Sequence, residues 1–223
     1  MRSMILFVAL SWLISIQQID AQPPNITNTQ ALFTQVYPEL EPHQLFFITK
    51  PSLYELKTEK LLLVDTLSTC LILTHEQQRY EAPCRYFILE DQIEVFAPQR
   101  RRILQANQIL AVKMDDKVFI PKTYHFRSEI FYGYFQVLVE GKYNLYKKYT
   151  TDKKKEALLQ EYFYQRKQDQ FPISFSPKKK RVAQCFVEEG SRWSAYYRKT
   201  KPSFKKETDL IAVFQYFSNS VAE

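Results

Sequence analysis

The sequence predicts a mainly β (α+β) fold: an antiparallel meander that curls into a roll or partly open barrel, followed by about three short C-terminal helices. Short apolar runs separated by polar or acidic turns fill most of the chain. Helical periodicity appears only after about residue 176. The run Tyr134–Val139 has apolar side chains on both alternating faces, which is typical of a central strand in a curled or doubly covered sheet. Curling also buries the edges of a long antiparallel sheet.

Three acidic turn signals connect the predicted strands. Glu90-Asp91 separates RYFIL from QIEVF, Asp115-Asp116 separates QILAVKM from KVFIP, and Glu140-Gly141 separates YFQVLV from KYNLYKKY. An acidic residue followed by glycine suits a tight turn that joins antiparallel strands. The sequence therefore predicts hairpins at these places. In the last one, Phe135, Val137 and Val139 share one face of the strand.

Helix signals follow this sheet. Ser176-Pro177 is a good N-cap and first-turn pair, Gly190 is expected to end the first helix, and Ser191 is expected to cap the second. Leu210, Val213 and Phe217 lie at helical spacing. The predicted helices cover Lys178–Phe186, Arg192–Lys199, and a stretch from Ser203 or Lys205 to about Ser218.

The sequence at the N-terminus predicts that the protein is exported. Arg2 precedes an apolar run, Met4–Ile14, and Ile19-Asp20-Ala21 ends in the small residue that a signal peptidase site requires. The run is too short to cross a bilayer, which takes about 20 apolar residues. We expect a mature protein that starts near Gln22, does not span the membrane, and resides in the periplasm, on the outer-membrane surface or outside the cell. A buried N-terminal element or a retained anchor are the alternatives.

The chain therefore divides into four predicted parts. They are the signal peptide (1–21), an N-terminal lead-in (22–44), an antiparallel β domain (45–175) and a C-terminal helical segment packed on that domain (176–223). The first strands of the β domain are predicted at Leu45–Thr49 and Lys60–Val64.

The composition is basic. With 31 Lys and Arg against 24 Asp and Glu, the net charge is +7. Such a charge favours acidic partners, here an envelope protein, an anionic glycan or a lipid, and export argues against nucleic acid as the partner. Lys153–Lys155 and Lys178–Arg181 carry runs of positive charge, for which a plain solvated surface is the alternative explanation.

Two of the three cysteines are placed for pairing. Cys70 and Cys84 are symmetric about Gln77 in a polar stretch, His75–Arg79, that reads as a hairpin turn. If they face each other across the strands, a disulfide is possible in an oxidising compartment. The alternative is two buried free thiols. Cys185 is interpreted as a thiol of the core.

No catalytic or metal-binding pattern stands out. His43, His75 and His125 are spread without ligand spacing, and the three glycines are isolated, which argues against a phosphate loop. The paired acids sit where turns are needed, so turn chemistry explains them better than paired catalytic carboxylates. We therefore predict no catalytic residue, no metal and no cofactor, and a protein that is not an enzyme.

Aromatic residues are the one unusual feature, with 17 Phe and 15 Tyr, and many of them crowd the region around residues 131–149. Such side chains line carbohydrate and lipid sites and also fill sheet cores. The predicted ligand-binding residues, with core packing as the alternative role, are Tyr132, Tyr134, Tyr143, Tyr146 and Lys147.

Several sequence motifs of this chain are similar to those of a known protein family. They are VFIP (Val118–Pro121), YFQVLVEGKYNLYKK (Tyr134–Lys148) and KKETDLIAVFQYFSN (Lys205–Asn219). Over about Leu63–Asn219 the chain resembles a family of uncharacterised exported proteins of Bacteroidetes-type bacteria. That family often has a Leu-Val-Glu-Gly hairpin, matched by Leu138–Gly141, and an Arg-Tyr-Asn motif, in which Phe87 replaces the Asn here. The resemblance implies location and architecture and no activity.

Three hypotheses for function follow. The first is a non-enzymatic exported protein that binds a partner or interacts structurally in the cell envelope. The second is a carrier of a lipid or other apolar ligand inside the curled sheet, which requires an internal cavity. The third is a small hydrolase whose site assembles only in three dimensions, which requires a histidine near a carboxylate and a nucleophile.

Overall fold

The computed structural model describes residues 29, 33, 47–48, 67–97, 100–126, 128–152 and 157–219. The predicted signal peptide, most of the lead-in, the predicted strand Lys60–Val64, the basic run Lys153–Lys155 and His43 lie outside the described residues.

In the described residues, one antiparallel sheet of eleven strands forms the body of the molecule. The strand order is β1-β5-β4-β3-β2-β6-β7-β8-β9-β10-β11, so two meanders meet where β2 pairs with β6. The strands are β1 (Phe47–Ile48), β2 (Ser68–Thr74), β3 (Arg79–Phe87), β4 (Gln92–Ala97), β5 (Arg100–Leu104), β6 (Ile109–Met114), β7 (Lys117–Phe126), β8 (Glu129–Val139), β9 (Tyr143–Asp152), β10 (Ala157–Arg166) and β11 (Ile173–Phe175).

The sheet curls into a half-barrel. Tyr86 on β3 and Tyr149 on β9 are separated by four strands in the sheet, yet their ring centroids lie 6.3 Å apart. Tyr86 also contacts Phe119 on β7, at 5.3 Å. Such contacts across the sheet require strong curvature. The predicted mainly β class, with a curled antiparallel meander and three C-terminal helices, is confirmed.

Between residues 176 and 219, which the structure describes throughout, three helices follow the sheet: α1 (Lys179–Cys185), α2 (Gly190–Thr200) and α3 (Glu207–Ser218). Three of the predicted boundary signals were wrong: those at Ser176, Gly190 and Ser191, the last because Ser191 lies inside α2, whose N-cap is Glu189. Lys178, and not Ser176, is the N-cap of α1, and it makes no side-chain capping bond. Gly190 does not end α1, because α1 stops at Cys185 and a 3-10 turn (Val187–Glu189) follows. Gly190, at φ 34, instead begins α2.

Two of the predicted turns, at Asp115-Asp116 and at Glu90-Asp91, have different backbone structures. Asp115-Asp116 joins β6 to β7 as a two-residue turn, with Met114 opposite Lys117. At Glu90-Asp91 the strand ends earlier than predicted, at Phe87, because a 3-10 turn intervenes. Asp91 then takes a left-handed conformation at φ 53.

A register shift between Val137 and Val139 corrects the predicted faces of β8. The irregularity breaks the strict two-residue alternation. Phe135 and Val137 keep to one face, whereas Leu138 and Val139 both pack with the helices.

Buried side chains form three clusters. The inner cluster fills the curl and includes Cys70, Cys84, Tyr86, Phe119, Tyr134 and Tyr149. The outer cluster lies on the opposite face and includes Ile120, Phe135, Tyr146 and Phe163. The helix cluster joins α1 and α3 to β8 and β9 and includes Val139, Tyr143, Leu145, Val182, Phe186, Leu210, Phe214 and Phe217. Neighbouring residues such as Tyr134 and Phe135 therefore fill opposite faces, as the apolar pattern of this strand predicted. Within the described part, no helix is both long and apolar enough to cross a membrane.

Candidate functional site

The five predicted binding residues do not share one surface. Tyr132 is 46% exposed, and its hydroxyl donates to the backbone oxygen of Ala106. The other four are at most 6% exposed and lie in different parts of the core. They are Tyr134 in the inner cluster, Tyr143 in the helix cluster, Tyr146 in the outer cluster, and Lys147 beneath α3. The binding role of this set stays a prediction.

Lys147 attaches α3 to the sheet. Its Nζ lies 2.8 Å from both carboxylate oxygens of Glu207, in the first turn of α3. The hydroxyl of Tyr162 on β10 donates to the same carboxylate, at 2.8 Å. Burial and this hydrogen bond raise the pKa of Tyr162. A carboxylate in the first turn also interacts favourably with the helix dipole.

Glu189 attaches the start of α2 in a similar way. Its carboxylate accepts from Lys142 Nζ at 2.6 Å, Tyr143 Oη at 3.0 Å and Arg192 Nη1 at 2.7 Å. Burial alone would raise the pKa of Glu189, but the bonds from Lys142 and Tyr143 and the nearby charges lower it overall. The three donors therefore hold an ionised carboxylate beneath the helices.

The end of α3 packs on the β8–β9 turn. Ser218 Oγ accepts from the backbone nitrogen of Tyr143 at 3.3 Å and donates to its backbone oxygen. Gly141, at φ 147, leaves room for this contact, because a Cβ there would lie 2.8 Å from Ser218 Cβ. Two of the motifs behind the family resemblance, the Leu-Val-Glu-Gly turn and the last helix, are thus in direct contact.

The buried Lys148 on β9 contacts the β3–β4 loop across the curved sheet. The carboxylate of Asp91 accepts from Lys148 Nζ and from the hydroxyl of Tyr86. Lys148 Nζ also lies 4.8 Å and 4.9 Å from the ring centroids of Tyr124 and Phe135. Burial lowers the pKa of Lys148, while Asp91 opposes the shift.

The side chains of Asp91 and Lys148 take the place of some backbone hydrogen bonds between β8 and β9. The recorded pairing of β8 with β9 begins at Gln136 opposite Lys147. Just before it, the backbone nitrogen of Tyr134 donates to Asp91 at 3.2 Å, and its oxygen accepts from Lys148 at 3.3 Å. The two charged side chains thus satisfy backbone groups that would otherwise be unpaired. We interpret this network as structural.

The helical segment carries a basic surface. Between residues 178 and 206 the sequence has ten Lys and Arg and two Glu, a net charge of +8, against +7 for the whole chain. All ten cationic side chains are exposed. The basic surface consists of Lys178, Lys179, Lys180, Arg181, Arg192, Arg198, Lys199, Lys201, Lys205 and Lys206.

Most of these cations form no ion pair within the part of the chain that the structure describes. Among the described residues, only Arg192 of the ten forms an ion pair, with Glu189. By contrast, Lys147 and Lys148 on β9 each pair with a carboxylate. Lys179 Nζ instead lies 3.8 Å from the ring centroid of Tyr197, which links the start of α1 to α2. The basic surface is therefore held on packed helices while most of its charge is left for solvent or a partner.

An aromatic groove lies beside this surface, between α1 and the strands β10 and β11. Its volume is about 700 Å³. It is lined by Gln160, Glu161, Tyr162, Tyr164, Ile173, Ser174, Phe175, Ser176, Pro177, Arg181 and Gln184. The groove could not be predicted from the sequence, because its walls come from a hairpin and a helix. The only local signal was Tyr162 and Tyr164 at strand spacing.

A larger cleft of about 1230 Å³ includes two of the predicted binding residues, Tyr132 and Tyr146. Its described lining is rich in charged groups, among them Lys122, Arg166 and Asp169. Lys122 Nζ lies 5.1 Å from the ring centroid of Tyr146, and burial lowers the pKa of this lysine. Such a lining suits a polar ligand better than the apolar cargo of the carrier hypothesis.

Cys70 and Cys84 are joined in a disulfide, with Cα atoms 5.8 Å apart. The pairing register differs from the predicted one. Cys70 lies opposite Ala82, so the hairpin is centred on Glu76 and not on Gln77. The two cysteines are therefore diagonal neighbours on one face of the hairpin. Cys185 is a buried free thiol, and burial raises its pKa to about 12, which fits a core position.

The described residues show no catalytic arrangement. The ring of His125 packs on Phe171, with centroids 4.6 Å apart. No recorded hydrogen bond joins the imidazole of His125 or His75 to a carboxylate in this part of the chain. The same residues contain no group of three or more metal-ligating side chains. The non-enzymatic role stays a prediction, and the hydrolase hypothesis gains no support from this geometry.

Comparison with known proteins adds no relative: no protein-family model, no curated protein and no solved structure matches the chain. The resemblance to the exported family therefore stays a prediction that rests on the motifs alone. The basic surface and the aromatic groove are the features of the described structure that point to a function.

Proposed function

We propose that this is a non-enzymatic exported protein that binds an anionic partner through the basic surface on its C-terminal helices. The observation that carries the proposal is that nine of the ten exposed cations between Lys178 and Lys206 have no recorded ion pair among the described residues. An uncompensated cluster of one sign attracts partners of the opposite sign and speeds their association.

Stability does not explain this arrangement. Lys178–Arg181 are four consecutive cations that repel one another, and they lie at the N-terminal end of α1, where the helix dipole disfavours positive charge. An anionic partner would relieve that repulsion. The helices are also firmly attached to the sheet through Glu207 and Glu189, so little would need to be ordered on binding.

Binding to a panel of anions tests the proposal. The panel contains polygalacturonate, heparin and phosphatidylglycerol vesicles, with dextran and phosphatidylcholine vesicles as neutral counterparts. We expect the protein to bind at least one anionic member, and its affinity to fall as NaCl rises from about 50 to 200 mM, because salt screens exposed charges. Absence of binding to every anionic member at low salt would refute the proposal.

A pair of matched variants locates the binding surface. Lys180→Ser/Lys199→Ser removes two cations of the basic surface, and Lys113→Ser/Lys167→Ser removes one cation from β6 and one from the turn after β10. An exposed ion pair contributes up to about 1 kcal/mol. At about 0.5 kcal/mol for each of the two cations, the first variant should bind the anion about fivefold more weakly, and the second should bind almost as wild type. Equal losses in the two variants would show that only net charge matters.

Export is tested separately by the intact mass of the protein recovered from a bacterial envelope fraction. We expect a chain that starts near Gln22. A full-length chain retained in the cytoplasm would contradict export and would reopen nucleic acid as the anionic partner.

A further inference from the structure

The aromatic groove has the composition of a ligand site. It adjoins the basic surface, because Arg181 belongs to both. A volume of about 700 Å³ falls within the range of roughly 300–1,000 Å³ that is usual for ligand pockets. Pockets of this kind combine ring faces with a few polar groups that fix orientation.

The ring wall of the groove is packed against the helix cluster. Phe175 on β11 lies opposite Tyr162 on β10, and its ring centroid is 6.4 Å from that of Tyr162 and 5.8 Å from that of Tyr164. Phe214 of α3 supports Phe175 from behind, at 5.9 Å. The three wall rings are half-buried, so they keep accessible surface while the core fixes their positions.

The polar side of the groove comes from α1. Arg181 Nη1 donates to Gln184 Oε1 at 3.1 Å, and both side chains line the groove. No carboxylate among the described residues forms an ion pair with this guanidinium. A guanidinium matches a carboxylate or sulfate group through two parallel hydrogen bonds. Glu161, the one carboxylate in the described lining, lies opposite Lys148 in the β9–β10 register, and its side chain alternates in direction with that of Tyr162.

We infer that the groove is the subsite for one or a few sugar units of an acidic polysaccharide whose chain continues over the basic surface. This inference rests on the proposed function and specifies its partner. Ring faces pack against the apolar faces of sugars, and Gln160, Ser174 and Gln184 offer hydrogen bonds to hydroxyl groups. Arg181 binds the acidic group. A flat bilayer surface could use the exposed lysines but could not enter a concave groove between a helix and a hairpin.

The test uses a short probe that fits the groove but does not cover the basic surface: trigalacturonate, with its methyl ester as the neutral counterpart. Binding is measured by titration calorimetry for wild type, Arg181→Gln and Lys199→Gln. Both variants lose one exposed cation of the basic surface, but only Arg181 lines the groove. We expect Arg181→Gln to weaken trigalacturonate binding about tenfold and Lys199→Gln to weaken it less than threefold. The methyl ester should not distinguish the variants.

Long polygalacturonate separates this inference from the proposed function. If the polymer binds wild type but both variants lose affinity equally for trimer and polymer, the groove is no subsite and the basic surface alone acts. If phosphatidylglycerol vesicles bind and neither saccharide does, a membrane surface is the partner and the inference is wrong. If no anion binds, the proposed function fails together with it. A Tyr164→Leu variant that remains folded by circular dichroism should also lose trimer binding, and unchanged affinity would contradict the stacking role.

Discussion

Replacing Asp91 by asparagine tests whether the buried ion pair closes the half-barrel. The change keeps the side-chain shape, an acceptor oxygen for Tyr86, and a residue type that tolerates the left-handed conformation at φ 53. It removes the charge that faces Lys148, whose side chain is only 3% exposed. We expect the variant to fold and to lose stability because the lysine is left in the core without its counter-charge.

The size of the loss follows from the burial of the pair. Removing one partner of a buried pair costs about 3–5 kcal/mol. Asp91 is 24% exposed, and burial already lowers the pKa of Lys148, which eases its neutralisation, so we expect the lower end, about 3 kcal/mol. In urea this corresponds to a fall in the unfolding midpoint of about 1.5 M, for a slope of about 2 kcal/mol per M.

The matched control is Asp116→Asn, which removes the carboxylate of an 87% exposed turn residue that pairs with Lys117 at 3.0 Å. The urea unfolding midpoint of this control should change little, because exposed ion pairs contribute little to the free energy of unfolding. Adding Lys148→Met to Asp91→Asn should restore much of the lost stability, since the unpaired charge is then gone. A loss below about 1 kcal/mol for Asp91→Asn, or no recovery in the double variant, would refute the reasoning.

Three further predictions concern the turns, the disulfide and the helix anchor. Gly141→Ala should cost about 1–3 kcal/mol, more than Gly190→Ala, because only Gly141 packs against the end of α3; equal urea midpoints would contradict that contact. Replacing Cys70 and Cys84 by alanine should cost about 3 kcal/mol, since the bridge closes a loop with a sequence separation of 14; identical midpoints for oxidised and reduced wild type would argue against the bridge. The lowered pKa of Glu189 contributes stability above its ordinary value of 4.5 that is lost as pH falls through the folded-state pKa. Glu189→Gln should therefore be less stable at pH 7 and lose less on acidification below pH 4.5, as thermal unfolding would show, and an unchanged pH dependence would contradict the role of this carboxylate.

The sequence predicted most of the regular structure because strands, hairpins and helices depend on neighbouring residues. The two-residue turn at Asp115-Asp116 and the apolar spacing of Leu210, Val213 and Phe217 are local patterns of this kind. Where the prediction failed, the cause was one or two residues of irregular backbone. The 3-10 turn after Phe87 is such a case.

The candidate site was only partly visible in the sequence. The run Lys178–Arg181 was recognised, but its separation from carboxylates depends on which acids the fold brings near. The crowding of tyrosines suggested a binding face, yet the sheet turns Tyr134 and Tyr146 into opposite cores. The groove could not be found, because Tyr164 and Arg181 come from separate elements.

By itself, the sequence determined the β-rich class, the positions of the hairpins and helices, and the excess of positive charge in the last third of the chain. Only the tertiary structure decided which side chains are accessible. Asp91 meets Lys148 across 57 residues, and Lys147 meets Glu207 across 60. Contacts over such separations depend on strand register and on the curl of the sheet, which are set by packing of the whole domain and not by any local pattern.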